Sequence, residues 1–210
     1  MTLYEFMEKG SILMVPIGFC SLVAITVFLE RIIGLAQKRV NPEELSRKLL
    51  NLLNDGQFEQ AETVCLQSSA AVSQIAFVAL KHRGRDRKII KDATDERGAL
   101  EVARLERGVG LVGTMATIAP LLGLLGTVTG MIQVFQKIEG VQDPQIDLLA
   151  GGIWEALIST GAGLTVAIPC YVAYRYLLSR VDTAAHQMEE TLIDVIDAID
   201  RDESKGTESV

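Results

Sequence analysis

The run GGIWEALISTGAGLTVAIP, residues 151–169, decides how this chain folds. It lies within an apolar stretch from Leu148 to Tyr174 whose sole ionisable carboxylate is Glu155. No Lys, Arg or His lies close in sequence to pair with that glutamate. A stretch of roughly 27 residues exceeds the ~20 that a helix needs to cross a bilayer core. An ionised side chain at the centre of such a span costs about 3 kcal/mol on insertion scales, so Glu155 needs a reason to be there.

Two further apolar blocks lie upstream. Ile12 to Leu29 carries no charge over roughly 18 residues, and Gly108 to Gln136 none over roughly 29, each long enough to span. About half of the 210 residues are hydrophobic, and they are concentrated in these blocks rather than spread at the spacing of a soluble domain. The spacing predicts an all-α polytopic membrane protein with three transmembrane helices, two of them extended into a cytoplasmic helical bundle. The expected divisions are a short N-terminus (1–11), span one (12–36), a helical domain (37–107), span two (108–136), a loop (137–147), span three (148–178) and a C-terminal helix and tail (179–210).

The leading segment MTLYEFMEKG is acidic and span one is too long for a signal h-region, so span one is read as a retained helix. Residues 30–107 hold 14 of the 20 Lys and Arg residues, whereas KIEGVQDPQID between spans two and three holds one Lys against three acids. The positive-inside rule then places the N-terminus and the short loop outside, and residues 30–107 and the C-terminus in the cytoplasm. The net charge of −7 comes largely from the nine carboxylates after Arg180. Cys20 and Cys170 lie in apolar spans and Cys65 in a charged segment, a pattern of packing thiols rather than of a disulfide framework.

NPEELSRKLLNLLNDGQFEQAETVCLQ reads as two short helices broken at Asn54-Asp55-Gly56, with Asn41-Pro42 as the start signal. HRGRDRKIIKD, residues 82–92, is basic but lacks interleaved aromatics; it reads as a solvated or headgroup-facing loop, not a nucleic-acid site. From Lys91 to Arg107 the helical pattern runs into span two without a proline. Beyond span three, Val181, Ala185, Met188, Leu192, Val195 and Ile199 recur at heptad spacing, a seam expected to pack on residues 91–107 and on neighbouring subunits. His82 and His186 stand alone and Ser159 has no base beside it, so no enzyme and no metal site is expected.

At 100° per residue, span three sorts into unlike faces. Gly152, Ala156, Ser159, Thr160, Ala162, Gly163 and Ala167 fall within or near the arc of Glu155, and Ile153, Trp154, Leu157, Ile158, Leu164 and Ile168 are assigned to the other side. Span two has a similar small arc of Ala116, Pro120, Gly123, Gly126, Thr127 and Gly130. Small residues let membrane helices approach closely, and hydroxyls bond across the contact. Counting from the flanking charges, Glu155 lies about 12 Å and Thr127 about 15 Å from the outer end. Two polar side chains therefore reach similar depth.

APLLGLLGTVTGMIQVF (119–135) and GGIWEALISTGAGLTVAIP (151–169), together with the three-span layout, resemble the MotA/TolQ/ExbB family of proton-channel stator subunits on its ExbB/TolQ side. The family threonine of the second span falls on Thr127, and the glutamate and threonine of the third on Glu155 and Thr160. The resemblance implies a ring-forming homo-oligomer, expected to be a pentamer, around an ExbD/TolR-like bitopic partner that supplies an intramembrane aspartate. Glu155, Thr127 and Thr160 would line the pore, with Ser159 as an added hydroxyl where a small apolar residue is common. Proton flow would drive a TonB- or TolA-type transducer, with ExbB-like transport favoured over TolQ-like envelope maintenance or gliding. No cofactor is implied, and the retained Glu155 favours protons over sodium. The competing expectation of another class is a non-conducting membrane scaffold.

Overall fold

The computed structural model describes residues 13–37, 42–139 and 146–208, and within these the chain is helical. The seven helices are α1 (Met14–Gln37), α2 (Pro42–Asn54), α3 (Phe58–Gln67), α4 (Ala71–Lys81), α5 (Arg87–Glu106), α6 (Val109–Ile138) and α7 (Ile146–Glu208). Three of them, α1, α6 and α7, are long and apolar enough to cross a membrane. The expected N-terminal segment 1–11, the start signal at Asn41 and the middle of the loop after span two lie outside the described residues.

The chain divides into two compact units. The first comprises residues 1–32 and 108–177 and thus holds the membrane-spanning parts of α1, α6 and α7. Its outward surface is apolar: Phe19, Leu22, Leu121, Leu124, Leu157 and Ile168 are each more than half exposed. Such a surface suits acyl chains, since burying it in lipid satisfies the same hydrophobic preference that a core would. Inside, Ala24 of α1 packs with Ala116 of α6 and Cys170 of α7, with Met115 and Val166 at the edge of the cluster. Pro120 and Pro169 sit within α6 and α7 without ending either helix. In a membrane helix, neighbouring helices tolerate the one backbone bond that a proline removes.

The second unit, residues 33–107 and 178–210, folds α2–α5 around the end of α7. Leu49, Leu53, Phe58, Cys65, Ala79, Ile90, Val195 and Ile199 share its core. The expected break between α2 and α3 takes a specific form. Gly56 adopts φ 72°, Gln57 N–H donates to Leu52 O at 2.8 Å and Gly56 N–H to Leu53 O at 3.1 Å. That pair of bonds closes α2 as a Schellman motif, with glycine at the left-handed position.

Three expectations are corrected here. The helix expected to run from Lys91 into span two stops at Glu106, and Gly108 at φ 86° separates α5 from α6. The absence of proline was the wrong criterion, because a glycine in the left-handed region ends a helix as well. The basic segment 82–92 is a loop only as far as Asp86, whose carboxylate accepts from Lys88 N–H at 2.9 Å and caps α5. Its three arginines are exposed, as expected of a solvated segment, and two of them also meet acids of α7: Arg83 meets Asp202 at 2.9 Å, and Arg87 meets Asp197 at 2.8 Å and also Asp200. Arg83 also lies 3.6 Å above the Phe58 ring. The heptad positions Val181, Met188, Val195 and Ile199 are buried as the pattern requires, but their cover is broader than residues 91–107. Met188 packs with Val72 and Ile75 of α4, with Val102 and Leu105 at the edge, and Val195 and Ile199 join residues of α2–α4. A hydroxyl pair, Ser46 and Thr191 at 2.8 Å, ties α2 to α7.

Candidate functional site

The small residues of α6 and α7 meet along an antiparallel seam in the first unit. A Cβ added at Gly163 would lie 2.6 Å from Ala119 O, and one at Gly123 would lie 2.9 Å from Ser159 O and 3.1 Å from Thr160 Cα. At Gly126 it would collide with the Ser159 side chain, at Gly130 it would come within 3.1 Å of Ala156 Cβ, and at Gly152 it would strike Val134. Each rung steps towards the C-terminus of α6 as it steps towards the N-terminus of α7. Around Gly123 and Gly163 the two backbones therefore touch without intervening side chains, the arrangement through which membrane helices gain dispersion energy in place of a hydrophobic drive. Ala119 and Val134 were not singled out from the sequence. The signal was present in the steps of three or four residues from Ala116 through Ala119, Gly123, Gly126 and Gly130 to Val134.

Hydroxyls decorate this seam in different ways. Thr160 Oγ1 donates across it to Gly123 O at 3.0 Å. Thr127 Oγ1 instead donates within α6, to Leu124 O at 2.7 Å, and the side chain is half-buried. Ser159 is completely buried against Gly126, and its Oγ has no hydrogen-bond partner among the described residues. It lies in the helix contact itself. Ile158, assigned from the sequence to the outward face, is also buried. Three residues after Glu155, it lies only about 60° from that glutamate around the helix axis, not opposite it.

Glu155 is half-buried and has no hydrogen-bond or ion-pair partner among the described residues. Its place relative to the threonines follows from the seam. In an antiparallel pair, the residue after each contact turns towards the same flank on both helices, and the residue before it turns towards the other. Thr127 follows Gly126 and Thr160 follows Ser159, so the two hydroxyls share one flank. Glu155 precedes Ala156 and leaves by the opposite flank. Met115 and Val166, which border the cluster with Ala24, precede Ala116 and Ala167 and lie on that second flank with Glu155. In depth, Thr127 lies between the Gly130–Ala156 and Gly126–Ser159 rungs, about one helical turn further in than Glu155. Thr160 is about one residue-step deeper again. A single chain thus offers a carboxyl on one side of a helix pair and two hydroxyls on the other, at closely spaced levels. Among the described residues no group of three or more His, Cys, Asp or Glu is placed to hold a metal.

Comparison with known proteins assigns this arrangement a context. The model of the MotA/TolQ/ExbB proton channel family matches residues 67–190, a segment that includes the whole seam. A putative biopolymer transport protein ExbB-like 1 from Synechocystis is 32% identical over 178 residues, covering 83% of this chain and 70% of that protein. A putative biopolymer transport protein ExbB homolog from Methanothermobacter thermautotrophicus is 30% identical over 189 residues, covering 90% and 67%. A Tol-Pal system protein TolQ from Haemophilus influenzae is 34% identical over 120 residues, covering 52% of this chain and 53% of that protein.

Proposed function

Because the chain belongs to the MotA/TolQ/ExbB proton channel family, we propose that it is the ring-forming subunit of a proton-driven motor. In this reading several copies, five as the family resemblance implies, surround an ExbD/TolR-like bitopic partner whose intramembrane aspartate carries the proton. The work is delivered to a TonB- or TolA-type transducer. The chain sits in the bacterial inner membrane with its N-terminus in the periplasm, and it catalyses no covalent chemistry and holds no cofactor. The observation that carries the proposal is Glu155, a carboxyl without a partner among the described residues in an otherwise apolar span.

The mechanism follows from charge and solvation. An ionised aspartate on the partner cannot pass an apolar ring, because a bare charge there costs several kcal/mol. Protonation removes that charge and lets the partner move one step. In a ring, the Glu155 flank of one copy adjoins the Thr127 and Thr160 flank of the next, and the two together set the polarity of the wall that the aspartate meets. Glu155→Ala should abolish work driven by the proton motive force while the purified assembly keeps its size; wild-type work in that variant would sink the proposal. Glu155→Gln separates the motor from a non-conducting scaffold, which would tolerate the change. Similarity to a TolQ protein supports a second client, envelope maintenance rather than transport. The periplasmic domain of the co-purified bitopic partner decides between them.

A further inference from the structure

Outside the membrane-spanning unit, α5 and α7 frame an open groove of about 590 Å³. Val102, Met188 and Leu192 give it apolar walls, while Gly98, Ala99 and Ala103 keep one side low. From Thr94 to Glu106 its α5 wall runs about 18 Å, the length of a helical segment of three turns. Every ionisable residue lining it is acidic: Asp95, Glu106 and Glu189. Asp95 and Glu106 have no ion-pair partner among the described residues, and Glu189 meets only His186, at 3.7 Å.

We infer that this groove is a docking site for a basic amphipathic helical segment of a different polypeptide. The low wall admits a helix at the ~8–10 Å axial separation that close packing needs. The apolar walls take its anchors at i, i+3/i+4 and i+7, in the manner of other helix-in-groove contacts. The three carboxylates then select Lys or Arg along its edges. Charge complementarity argues against the same face of a second copy, because a symmetric contact would set each carboxylate near its own counterparts; a different face of a ring neighbour is the alternative that crosslinking tests.

The test uses the full chain in nanodiscs of zwitterionic lipid, with empty nanodiscs as the blank. The probe is a labelled amphipathic helix of Leu, Ala and Lys, and its control carries Glu in place of Lys. The Lys peptide should bind saturably and the Glu peptide should not. Asp95→Lys, Glu106→Lys and Glu189→Lys combined should weaken the Lys peptide about tenfold, the effect of three exposed pairs at roughly half a kcal/mol each. Equal binding of both peptides, or unchanged affinity after charge reversal, would overturn the inference. In cells, a photo-crosslinker at the exposed Ala103 should capture a positively charged helical segment, with a yield that falls in the charge-reversed chain. A crosslink mapping to a second copy of this chain overturns the proposal.

Discussion

Ser159 shows what a single side chain costs at a close helix contact. Its hydroxyl is buried and unpartnered among the described residues, and such a group carries a penalty of about 1–3 kcal/mol. Ser159→Ala should therefore raise the resistance of the α6–α7 pair to denaturing detergent, and a loss of resistance would show that the hydroxyl has a partner in the assembled protein. Gly126→Ala should do the reverse, with Ser159→Gly restoring the fit in a double-mutant cycle. The second unit has its own titratable reporter. Burial, with a smaller push from Glu62, lifts the Cys65 thiol from 9.0 to about 12. The neutral thiol is the favoured folded form, so its contribution to stability is complete below pH 9.0 and is lost as pH rises towards 12. In a chain carrying Cys20→Ala and Cys170→Ala, iodoacetamide at about pH 8 should modify Cys65 only after denaturation, because the thiolate is the nucleophile. At this scale the sequence was informative about residue type and poor about direction. A partnerless glutamate is visible in one line of text, but the flank by which it leaves depends on which side of α7 faces α6. That choice is made by Gly126 and Gly130 on another helix.

Among the elements, the spans were legible because a bilayer demands long uncharged runs, and the two short helices because Gly56 and its neighbours announce a turn. The junction of α5 and α6 was not. Gly108 reads as one more small residue in an apolar block until its φ of 86° is seen. The position is also crowded: a Cβ there would lie 3.0 Å from Arg31 Nε and 3.3 Å from Nη2. Gly108→Ala should cost about 1–2 kcal/mol from the backbone alone, with a further penalty unless Arg31 shifts. The comparison is Gly56→Ala, where φ is 72° and the space is open, so only the backbone cost applies. Thermal unfolding of both variants should rank Gly108→Ala as the more damaging. The reach of residues 82–92 was misjudged for a related reason. Local charge suggested solvent or headgroups, and Arg83 and Arg87 are exposed, but the acids they also meet lie more than a hundred residues away on α7.

For the whole molecule, the division into two units predicts two responses to denaturant. The first unit is built from helices whose backbone bonds have no competing water in a bilayer, whereas the second is held by an ordinary core and by exposed ion pairs that salt screens. Urea should therefore open residues 42–107 to hydrogen exchange while Val109–Ile138 stays protected, with the transition moving to lower urea in Arg83→Ala. Simultaneous exposure of both segments would contradict the division. The three long apolar spans could be read from composition, but not the grouping of the end of α7 with α2–α5. That grouping depends on contacts between Ile199 and residues near position 50, which no local pattern contains.

α7 passes unbroken from Ile146 to Glu208, through Pro169, while its companion strand of chain is interrupted at Gly108. A continuous hydrogen-bonded helix behaves as a shaft: turn one end about its axis and the other must follow. The glycine junction behaves as a coupling that carries tension and lets twist slip, since φ at glycine is free to change sign at little cost. A torque on α7 is therefore borne along its own backbone hydrogen bonds, whereas the chain at Gly108 transmits none.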